Sequence, residues 1–265
     1  MCLILVAWRA HPEFPLVVAA NRDEFFKRPT AAASFWPGGK ILAGRDLEAG
    51  GTWMGITTGG RFAALTNYRA PERHRESLAS RGQLVADFLD GDLAPGEYLA
   101  QKRPLIGNYN PFNLLVGNRD TLVCLSSVDG SCRDLTPGVY GLSNHLLDTP
   151  WPKVSAAKSA MARALAALPD DQPLFDLLSD DAVHPDEALP RTGVSQEWER
   201  LLSAAFVKSA DYGTRSSTVL IVSRDGTPVV DEQTWLPGGL AGSRSRFRFR
   251  WSESGAFAHG ESRRP

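Results

Sequence analysis

Two continuous apolar runs lie close together at the start of the chain, "CLILVAW" (Cys2 to Trp8) and "LVVAANRD" (Leu16 to Asp23). The seven residues "RAHPEFP" between them hold two prolines, so the runs read as the strands of a hairpin, each buried on both faces. Such strands need cover on both sides, from helices or from a second sheet. The glycine-dense stretch 33–69 predicts short strands and tight turns, with Gly50, Gly51, Gly59 and Gly60 supplying permissive backbone. Helices are expected in "SLASRGQLVADFL" (77–89) and "GEYLAQK" (96–102). "FNLLVGNRDTLVCLSS" (112–127) reads as strand, turn at Gly117 to Asp120, and strand, and "GVYGLSN" (138–144) as another strand.

The clearest helix is "WPKVSAAKSAMARALAAL" (151–168), with Pro152 near its start and alanine and leucine at helical spacing. "PLFDLLS" (173–179) and "SQEWERLLSAAF" (195–206) are further helices. "RSSTVLIVSRDGTPVVDEQTW" (215–235) is a hairpin turning at Asp225-Gly226. "RFRFRW" (246–251) alternates arginine with aromatic residues, as a strand does with one face buried and its arginines in water. No repeat or linker interrupts the pattern. One α+β domain over residues 1–252, with central sheets and outer helices, is the simplest assembly. The polar remainder, 253–265, is expected to be a disordered tail.

Composition narrows the function. The chain has 265 residues, is 43% hydrophobic and carries a net charge of −1. This is not the surface of a nucleic-acid-binding or membrane-surface protein. No apolar run approaches the roughly 20 residues of a spanning helix, and the apolar start is too short for a signal peptide and lacks a basic leader. A soluble cytoplasmic protein without stable membrane insertion is the expectation. The three cysteines, Cys2, Cys124 and Cys132, fit a reducing compartment. Free thiols are the favoured state, although spacing leaves a Cys124–Cys132 bond open. No paired Cys/His spacing suggests a metal site.

Several chemistries fall away. The chain has no phosphate loop and no GxSxG elbow. Ser143 and His145 lie two apart on a strand end, a spacing that does not favour a triad. Asp23 and Glu24 are strand neighbours and point to opposite faces, so they cannot flank one glycosidic bond. His11, His74, His145, His184 and His259 are scattered.

Cys2 stands apart. Its small side chain lets methionine aminopeptidase remove Met1, which would leave one residue with both a thiol and an α-amine. Their ordinary pKa values are about 8.5 and about 7.7–8, so nucleophile and base can come from the same residue. The hairpin adds to this. If Trp8 pairs near Leu16, partners sum to about 24 and Cys2 lies opposite Arg22, which brings the polar string "NRDE" beside the thiol. The alternative is that Cys2 is a small buried hydrophobe.

Six blocks in order, "AANRDEFFKRPT", "AGRDLEAGGTWMGI", "GRFAALTNYR", "FNLLVG", "YGLSNHLLDTPWPKV" and "YGTRSSTV", resemble the NRDE family, also called the transport and Golgi organisation protein 2 family. That family is similar to the N-terminal nucleophile (Ntn) hydrolases. The resemblance implies an α+β four-layer αββα sandwich with the nucleophile on the first strand. It implies a catalytic set of Cys2, Asp23 to hold the amine, Asn67 and Asn144 to bind an oxyanion, and Arg215 near the thiol. Choloylglycine hydrolases have an arginine three residues before the aspartate, where this chain has Ala20; Arg22 is close, but alternation aims it away from the face Asp23 uses. The implied function is hydrolysis or acyl transfer at a carbon–nitrogen amide bond of a small-molecule substrate, with no cofactor required. The alternative is a carrier or trafficking protein for haem or lipid, whose pocket would be a broad apolar slot.

Overall fold

The computed structural model describes residues 2–252 and Ser262–Arg263. Of the expected tail, only those two residues fall within it; the rest of 253–265, His259 included, lies outside the described residues, as does Met1.

The opening hairpin forms as the apolar runs predict, from β1 (Cys2–Trp8) and β2 (Leu16–Phe25). The chain then builds one antiparallel sheet in sequence order: β3 (Thr30–Phe35), β4 (Ile41–Asp46), β5 (Met54–Thr57), β6 (Phe62–Asn67), β7 (Phe112–Gly117), β8 (Leu122–Ser126) and β9 (Cys132–Asp134). Two helices, α1 (Gly82–Asp90) and α2 (Pro95–Lys102), lie between β6 and β7 in the chain. β10 (Gly138–Leu142) then returns to pair with β1. It is followed by α3 (Pro152–Ala164), α4 (Gln172–Leu178), α5 (Gln196–Leu201), β11 (Tyr212–Val222), β12 (Pro228–Leu236), β13 (Leu240–Arg248) and β14 (Ser262–Arg263). The hairpin's sheet has the order β10-β1-β2-β11-β12-β13-β14.

The double burial of the hairpin has two sources. Ile4, Val6, Trp8, Leu16, Val18 and Ala20 face the second sheet and pack on Leu42, Ile56, Phe62, Ala64 and Leu115. Leu3, Leu5, Ala7, Val17 and Ala19 face the other way, onto α3 and α4 through Val154, Ala157, Met161, Leu174 and Leu178. The second sheet's outer face is covered by α1 and α2, where Leu84, Phe88, Leu89 and Leu99 meet Ala63, Leu65, Leu114 and Val116. The result is the four-layer αββα sandwich. No helix among the described residues is long and apolar enough to cross a membrane.

Three expectations change. The helix expected at 77–89 begins only at Gly82, because 78–81 run along a cavity wall. The helix expected at 195–206 stops at Leu201, because the carbonyls beyond it are used elsewhere: Lys153 Nζ donates to Leu202 O (2.8 Å) and Asn21 Nδ2 to Ala205 O (2.8 Å). The arginines of β13 are not simply in water. Arg244 and Arg246 clamp the buried Asp231 at 2.9 Å each, and Arg246 also reaches Asp171 at 2.6 Å.

Candidate functional site

The register of the hairpin places Cys2 directly opposite Arg22. Residues opposite each other in an antiparallel pair share a face, so the Arg22 side chain lies on the thiol's side of the sheet, towards the second sheet. Asp23, one residue on, lies on the helix side, but at the end of the sheet it too reaches the cavity. The four residues of "NRDE" therefore separate. Asn21 turns to the helix layer, where its Nδ2 donates to Leu178 O and Ala205 O at 2.8 Å each and its Oδ1 accepts from Ser217 Oγ (2.6 Å). Arg22, Asp23 and Glu24 line a cavity of about 290 Å³, together with Cys2, Arg28, Asp46, Trp53, Asn67, Arg81 and parts of 78–82.

Cys2 is partly exposed at the cavity wall, and its carbonyl accepts from Ser143 Oγ (3.2 Å), which ties β1 to the end of β10. Burial pushes the thiol up from its ordinary value, and the Asp23 carboxylate adds to this. The Arg22 guanidinium and the Asp23 backbone N–H pull the other way without cancelling it. Asp23 is buried, accepts from Thr214 Oγ1 (2.8 Å) and is pushed up by burial despite the nearby Lys153. Lys153 is itself buried on α3, and burial lowers its ammonium to about 8.

Asn67 ends β6 and lines the cavity. Asn144 lies behind it: fully buried, it donates from Nδ2 to Asn67 O (2.9 Å), and its own carbonyl accepts from Arg69 N (2.8 Å). Arg215 is not part of the lining. Its Nη1 donates to the carbonyls of Phe25 (2.8 Å) and Arg28 (3.1 Å), and its guanidinium lies over the Phe26 ring. A β-bulge between Thr214 and Ser216 falls at this position, so Arg215 is directed to the back of the β2–β3 turn. Of the five expected residues, then, Cys2, Asp23 and Asn67 share the cavity, while Asn144 and Arg215 brace its walls.

The arginines that do line the cavity are Arg22, Arg28 and Arg81. The sequence held the signal for Arg22 in the hairpin register itself: opposition to Cys2 implies the same face, whatever face Asp23 takes. Arg28 and Arg81 carry no such local signal. Arg28 Nε binds Asp46 at 2.7 Å and Nη1 binds Glu48 at 2.9 Å. Although burial acts to raise Asp46, the bonds from Arg28, Ala49 N and Glu48 N hold its carboxyl below the usual range. Trp53 forms part of the floor, with the Arg22 guanidinium 4.4 Å above its ring.

Known proteins of similar sequence and shape identify the family and the fold. The family profile described as "Transport and Golgi organisation 2" matches residues 1–237. The bovine transport and Golgi organization protein 2 homolog is 38% identical over 89% of this chain and 94% of its own length. The human homolog is 37% identical over 91% and 95% respectively. A solved structure of the Caenorhabditis elegans N-acylethanolamine-hydrolyzing acid amidase ortholog is similar in fold, with a TM-score of 0.50 at 13% identity, over 83% of this chain and 92% of that one. The fold is thus that of the Ntn hydrolases.

Proposed function

The chain belongs to the transport and Golgi organisation 2 family, and from the cavity at Cys2 we propose that it is a cysteine-dependent hydrolase or acyltransferase acting on a carbon–nitrogen amide bond of a small substrate. The observation that carries this reading is the meeting of a partly exposed cysteine on the first strand with Asp23, Asn67 and Arg22 around one polar cavity.

Removal of Met1 would give Cys2 a free α-amine beside its own thiol. In this mechanism the amine takes the thiol proton and the thiolate attacks the amide carbonyl. The C–N bond then breaks as the amine returns the proton to the leaving nitrogen, and water or an acceptor amine cleaves the thioester. Asp23 holds the charged amine. The side-chain amide of Asn67 donates to the oxyanion, and losing one such donor costs on the order of 10²–10³ in rate. Asn144 acts one step back, fixing the backbone of Asn67, and Arg215 fixes the β2–β3 turn that carries Arg28. No cofactor enters these steps. A haem or lipid carrier would be served by a broad apolar slot, whereas three arginines and three carboxylates line this cavity, which supports the enzyme.

Two variants test the mechanism: Cys2→Ser, and a chain with one alanine inserted between Met1 and Cys2. Each should abolish turnover of N-acyl amides while leaving the thermal midpoint near that of the parent, since a serine nucleophile is weaker and the insertion separates amine from thiol. Unchanged turnover in the inserted chain would remove this mechanism.

A further inference from the structure

We propose that the cavity beside Cys2 contains a subsite for an oxyanion, a carboxylate or phosphate carried by the substrate, formed by the start of α1 with the guanidinium groups of Arg22 and Arg81. As a statement about substrate it rests on the amidase reading above; as a statement about anion binding it does not.

The first observation is a buried guanidinium with an unused donor. Three arginines face three carboxylates in the lining, so formal charge cancels. The carboxylates are nevertheless engaged. Asp46 accepts from Arg28 Nε (2.7 Å), Ala49 N (3.0 Å) and Glu48 N (3.1 Å). Glu24 Oε1 accepts from Phe25 N (2.9 Å), and Asp23 Oδ1 from Thr214 Oγ1 (2.8 Å). The donors are not all engaged. Arg22 is only 5% exposed, yet its Nη1 has no hydrogen-bond partner among the described residues, and its Nη2 lies 3.8 Å from Asp46 Oδ2. Stacking on Trp53 orients this guanidinium but uses none of its five in-plane donors. A buried donor left without an acceptor is costly.

The second observation is independent and concerns α1. A helix start leaves backbone N–H groups without intrahelical partners and carries the positive end of the helix dipole. Serine, threonine, aspartate or asparagine normally meets that need at the N-cap. Here the N-cap is Arg81 and the first turn contains no acid; the N–H groups of Gln83 and Leu84 already bond to the carbonyls of Ser80 (3.3 Å) and Arg81 (3.0 Å), so what this helix start adds is chiefly its dipole. A cation, which can only donate, thus sits where an acceptor belongs. The arrangement is fixed tightly. A Cβ on Gly51 would come within 2.4 Å of Gly82 C, and Thr52 N donates to Gly82 O (3.2 Å), so the β4–β5 loop is packed onto the helix start. Arg81 is part-buried, and among the described residues its side chain makes one hydrogen bond, from Nη1 to Pro111 O (3.2 Å). Burial lowers its pKa, and the Cys2 thiol and Glu24 are the groups that act to raise it, so Arg81 is within electrostatic reach of the nucleophile. An anion in this corner would meet the α1 start, Arg81 and Arg22 together. A cavity of about 290 Å³ is at the low end of ligand sites, which start at about 300 Å³. The substrate class is therefore a small N-acyl compound bearing a carboxylate or phosphate close to the scissile amide.

The test uses the full chain and two alkylating probes of similar size, neutral iodoacetamide and anionic iodoacetate, scored by peptide mapping at Cys2 and at the exposed Cys132. The ratio of iodoacetate to iodoacetamide rates should be about tenfold higher at Cys2 than at Cys132, given a helix start and two guanidinium groups around the probe. In Arg81→Gln it should fall towards the Cys132 ratio, and in Arg81→Lys it should fall only part of the way. At matched ionic strength, inorganic phosphate or acetate should slow iodoacetate at Cys2, and the stronger of the two identifies the group the subsite takes. Equal ratios at the two cysteines, or a ratio unchanged in Arg81→Gln, would overturn the subsite. Should Cys2 resist both probes, phosphate must raise the thermal midpoint of the parent more than that of Arg81→Gln, and equal shifts overturn the proposal. Charge preference without turnover of any N-acyl amide would leave the subsite standing and end the amidase reading. Turnover that ignores substrate charge, with no probe preference, would do the reverse.

Discussion

Asn21, Arg22 and Asp23 have the same chain neighbourhood and three different surroundings: alternation along β2 sends Asn21 to the helix layer, Arg22 to the inter-sheet side of the cavity, and Asp23 back to the helix side, from which it reaches the cavity at the sheet end. The cost of this arrangement is clearest at Lys153, a buried ammonium near Asp23 whose Nζ is bound by Leu202 O at 2.8 Å. Burial lowers the lysine to about 8 in the folded chain, from an ordinary value of 10.5. Between those values the unfolded chain binds more protons than the folded one, so this residue makes the fold more stable as pH rises through that window. Below pH 8 the ammonium is charged in both states and its penalty is constant. The expected result is that thermal midpoints of the parent and of Lys153→Met diverge in the parent's favour from pH 7 to pH 10. A difference that stays flat across that range would mean that Lys153 is not desolvated.

At the scale of elements, close contacts around the cavity depend on missing side chains. β4 passes beneath Trp53 at Gly44, where an added Cβ would lie 2.3 Å from the indole Cη2. The indole is thus held between β4 and the Arg22 guanidinium. Gly44→Ala should destabilise the protein by about 1–3 kcal/mol, the usual range for overpacking, measured by urea unfolding. It should also displace Trp53 and so slow turnover, whereas alanine at the open Gly96, where a Cβ meets nothing within 4 Å, should leave stability unchanged or slightly raised. β13 shows the same interdependence: its arginines are matched to Asp231 on β12 and Asp171 at the start of α4, which ties an outer part of the sheet to the helix layer.

For the molecule as a whole, the four layers set a gradient of protection. The central pair, β1 and β2, is bonded on both edges and covered on both faces, and Val17, Val18 and Ala19 are fully buried. β9 is a three-residue edge strand, exposed along its length. Backbone amides of 17–19 should therefore exchange with solvent only on global unfolding, and those of 132–134 by local opening with much smaller protection. Hydrogen-exchange mass spectrometry reads this directly, and comparable protection in both segments would contradict it. Cys2, the proposed nucleophile, thus sits at the open end of a hairpin covered on both faces, where a rigid strand meets the cavity.

What the sequence by itself determined was local and periodic. The apolar runs of β1 and β2 mark two doubly buried strands, and their lengths with the seven-residue connection place Arg22 within a residue or two of the position opposite Cys2, the pairing that the structure has. Register could be read this way because side-chain direction in a strand depends only on parity along the chain. Pro152 and the alanine-rich repeat marked α3 for the same kind of reason. The four layers and the placing of Asp23 and Asn67 came from the family resemblance, not from periodicity. The tertiary structure decided the rest. The cavity is assembled from segments near residues 2, 22–28, 46–53, 65–67, 78–82 and 110, and no local rule carries the distance between them. That is why the sequence pattern puts Arg81 inside a helix, whereas the fold makes it a cation at the helix start. It is also why Asn144 and Arg215, close to the site in the chain's block order, turn out to be held by the carbonyls of Asn67, Phe25 and Arg28. Pattern determines which face a side chain takes; only packing determines which other faces meet it.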